Sequence, residues 1–345
     1  MIKVKFDTTP LKDSNKFRGV GYYTKNLLDQ FKKMERGSGI KLVDSADMAD
    51  IVHYPFFSPF FLSLPKKFNK PTVITIHDLI QLKFPNHFPP GIKGKINWWK
   101  QKRRLNNLAG IITISQHSRK DVIELTNYPK EKIYFTHLAA NEKFQIIADK
   151  KRLQQIRTKY SLPEKFVLYV GDINYNKNVP NLVRVCRQLE IPLVIVGKSA
   201  MATNYDQNHI ENQDLVWLQK KYKALNQLFL LGFVSTEDLV VLYNLATIYC
   251  QPSFYEGFGL PLLEAMACAC PILSSNQASL PEIGGKGVLY FNPYQKNDLK
   301  NKIKLLYYNE AERKRVAKES VKQIKEFSWD KTAVKTLKIY EKILN

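Results

Sequence analysis

Two carboxylates, Glu256 and Glu264, lie in the run SFYEGFGLPLLEAMA with seven residues between them. Gly257 and Gly259 loosen the backbone, and Pro261 suits only the first turn of a helix, so one helix cannot run from one glutamate to the other. The spacing therefore puts Glu256 on a loop and Glu264 about one turn into a helix. The first N–H groups of that helix have no partner within it, and the glycines beside them let an anion come close. That is the make-up of a phosphate cradle. A cradle flanked by two hydrogen-bond-accepting carboxylates suits a phosphorylated, hydroxyl-rich ligand. The structural alternative has Glu264 doing no more than favouring the positive end of its helix, roughly 0.3–1 kcal/mol, and the pattern alone weighs the two evenly. A glycosidase would also use two carboxylates, as acid and nucleophile, but it would leave the cradle without a role.

Strand-like and helical runs alternate along the 345 residues, a length beyond one typical core, so the chain reads as α/β with two domains, each a doubly wound parallel sheet. Strands are expected near 2–6, 51–54, 73–76, 111–114 and 133–135, and again near 166–170, 193–196, 229–231, 248–250, 272–274 and 288–290. The polar stretch 141–164 holds no strand and reads as the linker. The expected division is 1–150, 151–326, and a last helix, 327–345, that crosses back to the first domain, its stripe formed by Trp329, Ala333, Leu337, Tyr340 and Ile343. In such sheets ligands bind beyond the carboxyl ends of strands, and three further motifs fall at those ends. Gly19-Val20-Gly21, preceded by Arg18, forms a loop after the first strand and before the helical run 22–31. His77-Asp78-Leu79 leaves the buried strand 72–76. Lys177 follows the strand that ends at Gly171 and could neutralise a diphosphate as a point charge. Each has a plain structural account: a turn glycine, a satisfied histidine, a surface lysine.

The Glu256-x7-Glu264 segment, with Ala265-Met266-Ala267, Pro271 and Ser279-Leu280-Pro281-Glu282 after it, resembles that of the retaining family-4 glycosyltransferases, which have the GT-B fold. RGVGYY, TIHDLI, TISQHS, NKN and LVIVGK occur in the family's order, so the resemblance covers nearly the whole chain, and it lies closest to the mannosyltransferase B-like branch of bacterial polysaccharide synthesis. The resemblance implies transfer of a hexose, with retention and without metal, from a nucleotide diphosphate sugar to an acceptor hydroxyl. GDP-mannose is the implied donor and UDP-glucose its nearest alternative. His77 would contact the donor sugar beside the reacting carbon and Glu256 would hold the sugar hydroxyls. Gly19, Gly21, Lys177 and the amides of Gly257, Phe258, Gly259 and Leu260 would take the diphosphate, and Glu264 the ribose. The segment Leu231-Gly232-Phe233-Val234 resembles the one that lines the nucleotide base. Asn176 and Asp172 stand where relatives carry arginine, which puts one donor-phosphate contact in question.

Composition limits the remaining classes. No cofactor is expected, and no Asp-x-Asp or His-x-x-x-His announces a metal. Cys186, Cys250, Cys268 and Cys270 lie in apolar segments and read as buried, reduced thiols. No apolar run approaches a membrane span and IKVKFD alternates like a strand, so a cytoplasmic location is expected. The net charge of +22 fits nucleic acid, anionic lipid or phosphorylated substrates alike. No nucleic-acid module is present, so nucleic acid is not expected as a partner. The stretch 92–105 holds Lys93, Lys95, Lys100, Lys102, Arg103 and Arg104 with Trp98, and no acid occurs from 85 to 109. It is either a solvated helix or a docking surface for an anionic membrane, peripheral on the inner face, where a glycan or lipid-linked acceptor would be met. Ser115 would cap a helix or touch the acceptor. A non-catalytic nucleotide-sugar sensor would keep the cradle and Glu264 yet turn nothing over.

Overall fold

A computed structural model describes residues 1–12, 19–35, 37, 39–222 and 226–345, without the side chains of 221 and 222. Arg18 lies outside these residues. The chain divides into two compact units, Met1–Ala139 with Phe327–Asn345, and Ala140–Glu326. The first division thus falls after Ala139, earlier than the expected 150. The stretch 141–164 is no free linker either: it contains the helix Lys150–Lys159 and belongs to the second unit. Asp149 caps that helix, accepting from Arg152 N–H at 3.1 Å, while Lys159 and Tyr160 reach Asp238 at 2.5 and 2.7 Å.

The first unit carries β1 (Ile2–Phe6), β2 (Ile40–Leu42), β3 (Ile51–Tyr54), β4 (Thr72–Ile76), β5 (Gly110–Thr113) and β6 (Ile133–Phe135), in the order β2-β1-β3-β4-β5-β6. All pairs are parallel, with Val4 opposite Ile51 and Ile76 opposite Thr113. Strands covered on both faces read as unbroken apolar runs; all five residues of β4 and all four of β5 are buried. The helix Trp329–Leu344 is started by Ser328, which accepts from Lys331 N–H at 3.1 Å. It packs on the helix Gly19–Met34, Trp329 meeting Tyr22 edge-on at 5.7 Å and Tyr340 meeting Phe31 at 6.0 Å.

The second unit carries β7 (Val167–Val170), β8 (Leu193–Val196), β9 (Leu228–Gly232), β10 (Ile248–Gln251), β11 (Ile272–Ser275) and β12 (Leu289–Phe291), in the order β12-β11-β10-β7-β8-β9, again all parallel. Its core joins Val167, Tyr169, Leu193 and Ile195 of the sheet to Leu182 and Cys186 of the helix Val179–Gln188. All four cysteines are free and buried, and burial pushes the Cys268 thiol up to about 12. Each sheet reverses direction once. The chain leaves β1 for β2 and returns to β3 on the other side of β1; it leaves β7 for β8 and β9 and returns to β10 beside β7. The crevices past the carboxyl ends of β1/β3 and of β7/β10 are therefore the ligand positions that topology creates.

Candidate functional site

In the second unit, the two segments that leave the β7/β10 crevice are joined to each other. After β7, residues Tyr175–Lys177 form a 3-10 turn; after β10, the chain runs through Ser253 to Glu256. Asn176 is buried and ties the two, its amide donating to the Tyr255 carbonyl at 3.0 Å and its own carbonyl accepting from Phe254 N–H at 2.8 Å. Asn178 adds a bond to the Pro252 carbonyl at 3.0 Å. The residue standing where relatives carry arginine is therefore a stitch between loops.

That stitching brings Lys177 onto Glu256. The lysine Nζ lies 2.8 Å from Oε1 and 2.7 Å from Oε2, and the two side chains are only 22% and 9% exposed. The lysine, read from the sequence as a point charge for a diphosphate or a surface lysine, is held by a carboxylate. Glu256 Oε1 also accepts from Gln251 Nε2 and Ser253 Oγ, both at 2.6 Å. Tyr249 O–H donates to Gln251 Oε1 and so turns the amide nitrogen toward the glutamate. Oε1 thus takes three donors and Oε2 only Lys177, so acceptor capacity remains at Oε2. Ser279 holds the loop from behind, its hydroxyl placed 2.9 Å from the carbonyls of both Glu256 and Phe258.

Past this loop, Gly259 begins the helix Leu260–Ala267 at φ +102, and a Cβ there would stand 2.9 Å from Leu280 Cδ2. Only glycine meets both demands. Pro261 occupies the first turn, and Glu264 follows one turn in, as the spacing predicts. Glu264 is half-buried, and its Oε2 accepts from Tyr243 O–H at 2.9 Å. Loss of water raises its pKa to about 7, against the lowering effect of the tyrosine.

In the first unit, Gly19 and Gly21 form the first turn of the helix Gly19–Met34 and not a loop ahead of it. Among the described residues, a Cβ on Gly19 would touch nothing within 4 Å. Two residues past Gly21, the ring of Tyr23 meets His77 edge-on at 5.0 Å. His77 follows β4 directly, and its Nε2 lies 3.0 Å from the Pro55 carbonyl. A carbonyl only accepts, so the proton sits on Nε2 and the lone pair on Nδ1. Burial lowers the ring's pKa to about 4, outweighing the carbonyl, so His77 is neutral. Asp78 Oδ1 accepts from Ile80 N–H at 3.2 Å and shapes the turn.

Ser115 is fully buried and caps the helix Gln116–Thr126, accepting from Ser118 N–H at 2.9 Å. His137 lies between the rings of Phe135 and Phe327, at 5.3 and 5.5 Å. Gln251, Ser253 and Tyr243 were not named as site residues from the sequence, and Ser279 entered only as part of the matching motif. Ser253 stands in the same run as Glu256, but nothing in the sequence marks Tyr243. A cavity of about 260 Å³ lined by Cys186, Ile191, Leu193 and Leu228 opens where β8 and β9 begin, the opposite end of the sheet from Lys177. Among the described residues no three His, Cys, Asp or Glu side chains group as metal ligands.

Residues 151–323 match the model of the group 1 glycosyl transferases and residues 18–141 that of glycosyltransferase family 4. The serotype-specific mannosyltransferase WbdA of Escherichia coli is 30% identical over 79% of this chain, which spans about a third (34%) of that protein. The O-antigen chain mannosyltransferase B of Escherichia coli is 29% identical over 85% of this chain and 76% of its own length. Among solved structures, Anabaena HepE with UDP and glucose superposes with a TM-score of 0.73 at 14% identity, covering 99% of this chain and 100% of that one. Sucrose-phosphate synthase from Thermosynechococcus elongatus gives 0.68 at 21%, covering 98% and 82%. With two all-parallel six-stranded sheets, the GT-B fold, and family matches over 18–141 and 151–323, the chain belongs to the group 1 glycosyl transferases.

Proposed function

We propose that the chain transfers mannose from GDP-mannose, with retention at the anomeric carbon and without a metal, to a hydroxyl of a glycan or lipid-linked acceptor in polysaccharide synthesis. The observation that carries this reading is the Lys177–Glu256 pair at the β7/β10 crevice beside the glycine-capped helix. The relatives named as mannosyltransferases favour mannose, while HepE is seen with UDP and glucose.

In this reading the nucleotide diphosphate lies against Lys177 and the amides of residues 257–260, and Gly19 and Gly21 are kept as donor-binding residues of the first unit. Donors fixed in advance where charge develops on the leaving diphosphate lower the barrier without reorganisation. Glu256 accepts a sugar hydroxyl at Oε2, the oxygen that takes only the Lys177 ammonium. Glu264 accepts from the ribose. Neutral His77 offers Nδ1 to a sugar hydroxyl, a contact an imidazolium could not make. A lipid-linked acceptor would bring the chain to the inner face of the cell membrane. Among the described residues no helix is long and apolar enough to cross one.

Radiolabelled GDP-mannose and UDP-glucose, each with polyprenyl-linked and simple glycoside acceptors, test the proposal. Label should move from GDP-mannose, with the product anomer matching the donor's and EDTA without effect. Transfer from UDP-glucose alone, inversion, or loss of transfer in EDTA would each overturn the corresponding part.

A further inference from the structure

The helix Gly91–Leu105 of the first unit turns its polar side inward. Asn97 is buried and donates to the Phe60 carbonyl at 2.9 Å. Gln101, fully buried, donates to the Ser58 and Phe61 carbonyls at 3.1 and 2.9 Å, and Arg104 to that of Leu64. These bonds fasten the loop 58–64 to the helix. The outward side carries Ile92, Ile96 and Trp99, spaced to share one stripe and 81%, 48% and 53% exposed, with Arg103 at its end. The fastened loop adds Phe61 and Leu62, 70% and 48% exposed.

Basic residues flank that stripe on both sides. At ~100° per residue Lys93 and Lys100 fall along one edge, and Lys95 and Lys102 along the other. The Arg103 guanidinium lies 3.6 Å from the centre of the Trp99 ring. Beside it, Lys102, Arg103, Asn106 and Asn127 line a cavity of about 220 Å³ with Trp99. No acid occurs from 85 to 109.

We propose that this face docks on an anionic lipid bilayer, with Ile92, Ile96, Trp99 and the 61–62 tip at the headgroup–acyl boundary and the lysines against lipid phosphates. The proposal is independent of the transferase reading, because it uses none of the residues placed at the donor. Cations along both edges of an apolar stripe complement a surface that is anionic in its headgroup plane and apolar just beneath it. A second copy of the chain docking by the same face would set lysine edge against lysine edge. The inward side gives the reason for the arrangement: Leu105 and Trp98 pack into the core and Asn97 and Gln101 bond the loop carbonyls there, which leaves Ile92, Ile96 and Trp99 facing outward.

Sedimentation of the whole chain with vesicles of phosphatidylcholine alone, or with phosphatidylglycerol added, tests the inference. Binding is expected only to the anionic vesicles, and it should fall as ionic strength rises. Each basic residue near such a surface changes partition roughly five-fold, so Lys93→Gln with Lys100→Gln should weaken binding roughly thirty-fold. Ile92→Ser with Ile96→Ser should abolish it, and the blue shift of tryptophan emission on binding should vanish in Trp99→Phe. Nucleotide binding, followed separately, should survive in every variant. Failure to sediment with anionic vesicles would overturn the proposal. So would binding indifferent to these substitutions, or self-association that Ile92→Ser removes in the absence of lipid.

Discussion

The Lys177–Glu256 pair predicts an asymmetry that can be measured without substrate. Lys177→Met strands a carboxylate whose side chain is 9% exposed, whereas Glu256→Gln strands an ammonium that is 22% exposed and can turn toward water. Breaking a buried pair by removing one partner costs about 3–5 kcal/mol when the survivor stays buried and charged. For Glu256 two remaining donors, Gln251 and Ser253, soften this toward the lower figure of ~3 kcal/mol. For Glu256→Gln the amide loses the charge but keeps an oxygen for Ser253, so the loss resembles that of one charged hydrogen bond, about 1.5 kcal/mol. The double variant removes both charges and should cost less than the sum, with a coupling of about 1–2 kcal/mol. Calorimetry that resolves the second unit's transition is the assay. At ~2–4 °C per kcal/mol for a unit of this size, Lys177→Met should lower its midpoint by roughly 6–12 °C and Glu256→Gln by half that or less. Equal shifts, or a strictly additive double variant, would show that the pair is not the buried, coupled unit described.

Two predictions concern pH. Glu264 has a folded pKa raised to about 7, so between the ordinary carboxylate range and pH 7 the folded unit holds a proton that the unfolded chain releases; stability from this group is lost as pH rises through that window. Glu264→Gln should therefore raise the second unit's melting midpoint at pH 8 and leave it nearly unchanged at pH 4, while nucleotide affinity falls at least several-fold; a gain at pH 4 instead would refute the assignment. In the first unit the sign is opposite. Burial lowers His53 to about 3 and His77 to about 4, so unfolding takes up protons below the ordinary histidine range, and stability falls as pH drops from ~6.5. His53 Nδ1 lies 2.5 Å from the Tyr340 hydroxyl and Nε2 2.7 Å from that of Thr75. Tyr340→Phe leaves a buried ring nitrogen without its partner and should cost about 1–3 kcal/mol at pH 7; an unchanged thermal midpoint would refute it.

Most strands were legible because a strand buried on both faces is an apolar run with nothing to confuse it. LVIV at β8 and TVITI at β4 are examples. β2 escaped because it is three residues long with Lys41 at its centre. The helix Lys150–Lys159 escaped for another reason: none of its residues is buried, so hydrophobic period carries no trace of it. Its cap and the ion pair of Lys159 with Asp238 hold it instead, and the latter depends on a partner far away in sequence. At the site, the loop-then-helix placement of Glu256 and Glu264 was legible because glycine and proline act through their own backbones. The pairing of Lys177 with Glu256 was not. The two lie 79 residues apart, on segments that leave β7 and β10. Two further strands, β8 and β9, come between them in the chain, and only the reversal of strand order sets β10 beside β7. Local chemistry can announce which side chains are available. Which of them neutralise one another is decided by topology, and here that decision turns an apparently free lysine into the partner of the acid expected to hold the sugar.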